Sequence, residues 1–247
     1  MFYIGNTLHD IFYNLGFNEK MGNFQENNFE KGGKGNDSMI IYTNFEECTE
    51  EQRRMDESCD NGVPSSSATI DGVPGVIMVP PIYNFRDDRW INAGVINHIL
   101  IHEYTHAVHA RYNGGPNFDC GLVASSMDFA ALAEGYADFF SAALQFYKKK
   151  NIDRNTTVVL DNLHNTDNVI TCDNNLKYSD LKVMADTEDG YYGGNIWKTI
   201  LYDAFYNIVE YYPSTDDYLQ VFDDDSIPGN VLFVINIFIL LKYLFFF

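Results

Sequence analysis

The sequence predicts an α+β fold, and three observations carry that expectation. Short runs rich in β-branched and aromatic residues gather early: Met39-Ile40-Ile41-Tyr42, Thr69-Ile70 and Val76-Ile77-Met78-Val79. Long segments with helical patterning gather late, at Ile91–Arg111, Asp128–Lys150 and Asn195–Tyr211. No internal repeat interrupts this order, so strands and helices are segregated along the chain rather than alternating.

Taken in order, residues 5–16 place Leu8, Ile11, Phe12 and Leu15 at helical spacing, with Gly16 as the stop signal. Residues 22–38 are rich in Gly and Asn and are expected as loop. Met39–Tyr42 is the first strand. Residues 43–66 are charged and then Ser-rich, which fits a surface excursion. The turn Asp71-Gly72-Val73-Pro74-Gly75 separates the two following strands. Asn113-Gly114-Gly115-Pro116 ends the first long helix. Ser125 or Ser126 can cap the second, and Lys148, Lys149 and Lys150 suit the negative end of its dipole. Residues 151–190 are polar and broken, with one short helix expected near Tyr178–Met184. The chain therefore divides into an N-terminal α+β lobe (1–124), a helical lobe (125–230) and an apolar tail (231–247). That tail, VLFVINIFILLKYLFFF, is short for a membrane span and carries a lysine. It is expected to be a buried helix or translated non-coding sequence, and membrane association is not expected.

Composition narrows the function classes. With 46% hydrophobic residues in 247, the chain can build a sizeable core. A net charge of −19 repels phosphate backbones and argues against a nucleic-acid partner. Cys48, Cys59, Cys120 and Cys172 contain no CxxC pair, so a zinc ribbon is not indicated. Bridges Cys48–Cys59 and Cys120–Cys172, or four free thiols, are both open. The tripeptides Asn36-Asp37-Ser38 and Asn155-Thr156-Thr157 are compatible with secretion. No signal peptide is expected at Met1, which lacks a basic start and a long apolar stretch.

The chemistry centres on His102-Glu103-Tyr104-Thr105-His106. On a helix the two histidines are four residues apart and leave one face, where both imidazoles can bind one ion. Glu103 can reach a water on that ion as general base and return the proton to a leaving amine. Val95, Ile96, Ile99, Leu100 and Ile101 bury the start of this helix, and a buried helix carrying two His and a Glu needs partners for them. Zinc requires a third protein ligand. Glu134 stands among Ala130, Ala131, Ala133 and Ala137, where an unpaired carboxylate is costly. Asp138, one turn on, can accept from the free ring nitrogen of a ligand histidine. Asp119 and Asp128 fit less well.

The chain resembles the fungalysin family of secreted metalloendopeptidases, distant relatives of thermolysin. His102–His106 with Ala110-Arg111-Tyr112-Asn113-Gly114-Gly115-Pro116 is similar to the family's zinc helix and Gly-Gly-Pro turn, and Cys120 matches a family cysteine. Ala133-Glu134-Gly135-Tyr136-Ala137-Asp138 resembles its Glu-Gly-Trp-Ser-Asp segment. The likeness includes Asn6–Asp10, Tyr13–Phe17, Gly22-Asn23-Phe24-Gln25, Gly32–Asp37, Asp71–Gly75 and Gly194-Asn195-Ile196-Trp197, so it covers about residues 6–210. The resemblance implies a two-lobed zincin-like fold and one zinc ion on His102, His106 and Glu134. It further implies Glu103 as the catalytic residue, Asp138 behind His102, protein or peptide substrates, and secretion as a zymogen whose propeptide nothing here resembles.

The chain departs from the family pattern at several points. Tyr191 stands where the family has a histidine suited to the transition state; a shifted alignment would bring in Tyr192. A tyrosine hydroxyl can also donate to an oxyanion. Extra residues at His98-Ile99-Leu100 precede the motif; His98, His109 and His164 are expected to be structural. The chain is shorter than a full catalytic domain at both ends. Ser67-Ala68-Thr69 is a candidate edge strand for an extended substrate. The expected activity is zinc-dependent peptide-bond hydrolysis, the alternative a truncated or catalytically weak zinc-binding pseudoenzyme. The spacing from His106 to Glu134 disfavours a zinc aminopeptidase.

Overall fold

A computed structural model describes residues 1–43, 64–84, 88–113, 115–117, 127–145, 158–160, 168–170, 190–220 and 226–243. The four cysteines, Asn155, His164, Lys148–Lys150 and the helix expected at Tyr178–Met184 lie outside the described residues.

Helix α1 (Phe2–Asn14) forms because Leu8, Ile11 and Phe12 fall on one buried face. It is closed by the amide of Phe17 on the Phe12 carbonyl and that of Gly16 on the Tyr13 carbonyl, the paired bonds that satisfy a helix's last acceptors. Strand β1 (Ile40–Thr43) pairs in parallel with β3 (Val76–Val79), and β2 (Ser65–Ser67) pairs antiparallel with β3, giving the order β1-β3-β2. The second strand therefore lies at Ser65–Ser67, across the end of the stretch 43–66 expected as an excursion and the first residue of the candidate edge strand Ser67–Thr69, and not at Thr69-Ile70. Its serines alternate exposed and half-buried, a period-2 pattern without the apolar residues that announce a strand.

A hairpin of β4 (Pro81–Asn84) and β5 (Arg89–Asn92) follows. Residues 91–96 were expected to open the first long helix. They instead finish β5 and form a 3-10 turn, Ala93–Val95, fixed by the Asn92 side chain accepting from the Gly94 amide at 2.8 Å. Helix α2 then runs Asn97–Tyr112 and α3 runs Met127–Gln145. A second hairpin, β6 (Val158–Leu160) and β7 (Asn168–Ile170), occupies part of the region expected to be irregular. Helix α4 spans Gly190–Tyr211 and starts five residues earlier than expected from Asn195. The apolar run after Asn230 is a helix, α5 (Gly229–Tyr243), with Val231, Val234 and Ile237 in the core. No helix among the described residues is long and apolar enough to cross a membrane.

One continuous cluster of buried side chains joins α1, the three-stranded sheet, α2, α3, α4 and α5. Aromatic rings knit it. Phe12 of α1 stacks on Tyr104 of α2 at 5.5 Å, and Phe139 of α3 meets Phe205 of α4 edge-on at 5.9 Å. Helix α2 is thus covered by α1 and the sheet on one side and by α3 on another, which fixes the direction its polar residues face.

Candidate metal centre

His102 and His106 leave one face of α2, and Glu134 and Asp138 leave the facing side of α3, each pair four residues apart. Where the helices meet, Nε2 of His102 lies 2.9 Å from Nε2 of His106 and 3.2 Å from Oε2 of Glu134. Nε2 of His106 lies 3.4 Å from Oε1 of Glu134. His102, His106 and Glu134 are the group of His, Cys, Asp and Glu side chains among the described residues whose donor atoms converge in this way.

The convergence suits a cation. Nδ1 of His102 is 3.0 Å from Oδ1 of Asp138, and a proton held on Nδ1 in that bond leaves Nε2 as the lone pair whenever the ring is neutral. That lone pair faces a second imidazole nitrogen and a carboxylate oxygen. Oε2 of Glu134 is buried and has no donor in hydrogen-bond geometry. A tetrahedral ion with bonds of about 2.0–2.1 Å holds its ligand atoms about 3.3 Å apart, and the three separations bracket that distance. Two imidazole nitrogens and one carboxylate are also a donor set that zinc accepts.

The protonation energetics agree. Burial pushes the Glu134 carboxyl up, but its contacts with His102 and His106 more than offset this and hold it at about 2. Burial pulls His102 down, yet its bond to Asp138 and the Glu134 carboxylate 3.2 Å away outweigh burial and raise it well above the ordinary imidazole value, so a metal ion would bind there in place of a proton. Asp138, likewise penalised by burial, is held far below the usual carboxylate range by His102 and by Lys198, whose ammonium donates to Oδ2 at 3.0 Å. The site is thus a nest of carboxylates that favours positive charge at the His102 Nε2 position.

Glu103 is buried beside these residues, and burial raises its carboxyl above the ordinary value. The Ser66 hydroxyl of β2 lies near it and offsets part of that rise. Both line a cleft of about 320 Å³ with Ser65, His106, Phe129 and Glu134. His98, one turn before His102, is not in the convergent group. His109 is buried, stacked on Phe129 at 5.6 Å, with its Nε2 unpartnered. Tyr191 lies in the first turn of α4, and the side chains described in that helix begin after Tyr192.

The sequence did not single out Lys198 or Ser66. Lys198 was detectable: it interrupts a stretch of α4 whose buried members include Ile196, Leu201, Tyr202 and Phe205. Ser66 carried no signal, because a serine run is the signature of a loop.

Comparisons with known proteins agree with this geometry. A family model described as fungalysin metallopeptidase (M36) matches residues 1–240. Extracellular metalloproteinase 4 of Arthroderma otae is 34% identical over 225 residues, covering 85% of this chain and 30% of that protein. Extracellular metalloproteinase 5 of Trichophyton rubrum is 31% identical over 239 residues, 93% of this chain and 34% of that protein. A probable extracellular metalloproteinase 5 of Trichophyton verrucosum matches to the same extent. The chain spans about a third of the length of these relatives. With the family model matched across nearly its whole length and the histidine pair and glutamate of α2 and α3 converging, the chain belongs to the fungalysin family of metallopeptidases.

Proposed function

We propose that this chain holds one zinc ion through His102, His106 and Glu134 and hydrolyses peptide bonds as an endopeptidase. The observation that carries this is the convergence of three donor atoms next to a buried carboxylate in an open cleft. A zinc ion held there supplies Lewis acidity, polarising a peptide carbonyl and making a water acidic. Glu103 is the general base: its raised carboxyl accepts a proton from the attacking water and later delivers it to the leaving amine. Asp138 fixes His102 in the tautomer that presents Nε2. Tyr191 donates its hydroxyl to the developing oxyanion, in the place of the family's histidine. Strand β2 is at an edge of its sheet and borders the cleft, which supports binding of an extended peptide alongside it. The relatives are named extracellular, and secretion is the corresponding proposal here.

The test is hydrolysis of a denatured protein substrate by the purified chain, with and without a chelator, and by Glu103→Gln. Expected are cleavage abolished by the chelator, restored by zinc, and lowered about 10²- to 10⁴-fold in Glu103→Gln. A second reading, a zinc-binding pseudoenzyme, is favoured by Tyr191 in place of histidine. Bound zinc without chelator-sensitive cleavage would establish it, and failure to bind zinc would remove both.

A further inference from the structure

Lys198 is 1% exposed, and few lysines are buried to that degree without a specific anionic partner. Its ammonium donates to Oδ2 of Asp138 at 3.0 Å, while the other oxygen of the same carboxylate accepts from Nδ1 of His102 at 3.0 Å. One carboxylate thus links α4 to the histidine on α2 through α3. With Oδ2 claimed by Lys198, the plane of the carboxylate is set and Oδ1 is aimed at the imidazole. With Oδ1 aimed there, the ring of His102 cannot rotate Nε2 away from His106 and Glu134. The ammonium also balances one of the carboxylates crowded around the site.

We propose that Lys198 is a positioning residue for the metal centre, acting through Asp138 to hold His102 in its ligating orientation. This rests on the zinc reading given above, and the experiment separates the two. Zinc affinity is measured by competition with a chromophoric chelator for the full chain, Lys198→Met, Lys198→Arg, Asp138→Asn and Asp138→Asn with Lys198→Met together. Circular dichroism at the same temperature checks that each variant is folded.

Lys198→Met is expected to bind zinc about 10- to 100-fold more weakly, the usual cost of losing a group that orients a metal ligand. Lys198→Arg, which keeps a charged donor on Oδ2, is expected to recover most of that loss. In the Asp138→Asn background, adding Lys198→Met should leave zinc affinity unchanged, because the two residues form one chain of contacts. A folded Lys198→Met with the affinity of the unmodified chain overturns the proposal while leaving the zinc site intact. An unmodified chain that holds no zinc overturns both. If Lys198→Met alone does not fold, the Asp138→Asn pair decides. No further weakening supports action through Asp138, and a further tenfold loss contradicts it.

Discussion

The proposed ligand role of His102 asks a single ring to do two things: donate from Nδ1 and keep Nε2 free. The spacing of His102 and His106 made their shared face legible from sequence, since a helix has only one way to bring residues four apart onto one face. Glu134 and Asp138 were legible for an energetic reason: two carboxylates in an alanine-rich stretch of helix are costly without partners. Lys198 was less so, because its partner lies 60 residues away in sequence and only the packing of α3 against α4 brings them together. His109 shows the same limit. Burial lowers its imidazole to about 3, with His106 adding to the effect. The fold therefore favours neutral His109, and the unfolded chain binds that proton more readily. The stability it supplies is complete above about pH 6.5 and is lost as pH falls toward about 3. Denaturant titrations should show His109→Gln losing less stability than the unmodified chain between pH 6.5 and 5, by about 2 kcal/mol. Parallel pH profiles would contradict this. At Tyr191 the expectation is kinetic: Tyr191→Phe should lower kcat about 10²- to 10³-fold with zinc retained. An unchanged kcat would deny the residue an oxyanion role.

Between elements, the decisive contact is α3 on α4. A Cβ placed on Gly194 would lie 2.8 Å from Cβ of Glu134 and 3.0 Å from the Gly135 amide. One on Gly135 would lie 2.8 Å from Cβ of Trp197. The two glycines let the helix backbones approach so closely that α4 backs Glu134 directly. Gly194→Ala gains helix propensity of about 1 kcal/mol but forces the helices apart, a strain of about 1–3 kcal/mol at a packed site. The expected result is a lower melting temperature together with weaker zinc binding, because Glu134 moves with α3. A variant that is more stable and binds zinc normally would show the approach to be unimportant. This element pair was visible only in part beforehand. Helical periodicity located α3 and α4, but nothing in a periodic pattern says which helices touch. The strand at Ser65–Ser67 was expected two residues late, at Ser67–Thr69, for a related reason: pairing with β3, not side-chain preference, holds it extended.

Across the whole molecule, the N-terminal loops are tied to α2 by Arg111. This fully buried guanidinium donates to the carbonyls of Gly22, Thr69 and Val73 and to Asp37, the last at 2.6 Å, and lies over the ring of Phe24 at 4.3 Å. Gly22 has φ +73°, and a Cβ there would sit 2.8 Å from Pro116 and 3.1 Å from Arg111 itself, so the hub excludes any other residue at that corner. The stretches Gly22–Gln25, Gly32–Asp37 and Asp71–Gly75, separate in sequence, therefore meet at one point on α2. Their family likeness was legible, but their meeting was not, because a buried arginine five residues past His106 gives no sign of which carbonyls it will find. Arg111→Met leaves Asp37 buried and several carbonyls without a donor. The cost is expected to be about 3–5 kcal/mol, a fall in melting temperature of roughly 10 °C. A fall within a degree or two would mean that the loops dock without it.

All of this serves one centre, and zinc content tests it most directly. After dialysis against zinc and removal of excess ion, elemental analysis of the purified chain should give one zinc per molecule, falling below a tenth in Glu134→Gln and in His106→Ala. A chain that retains no zinc, or a Glu134→Gln variant that retains a full equivalent, would contradict the proposed role of His102, His106 and Glu134.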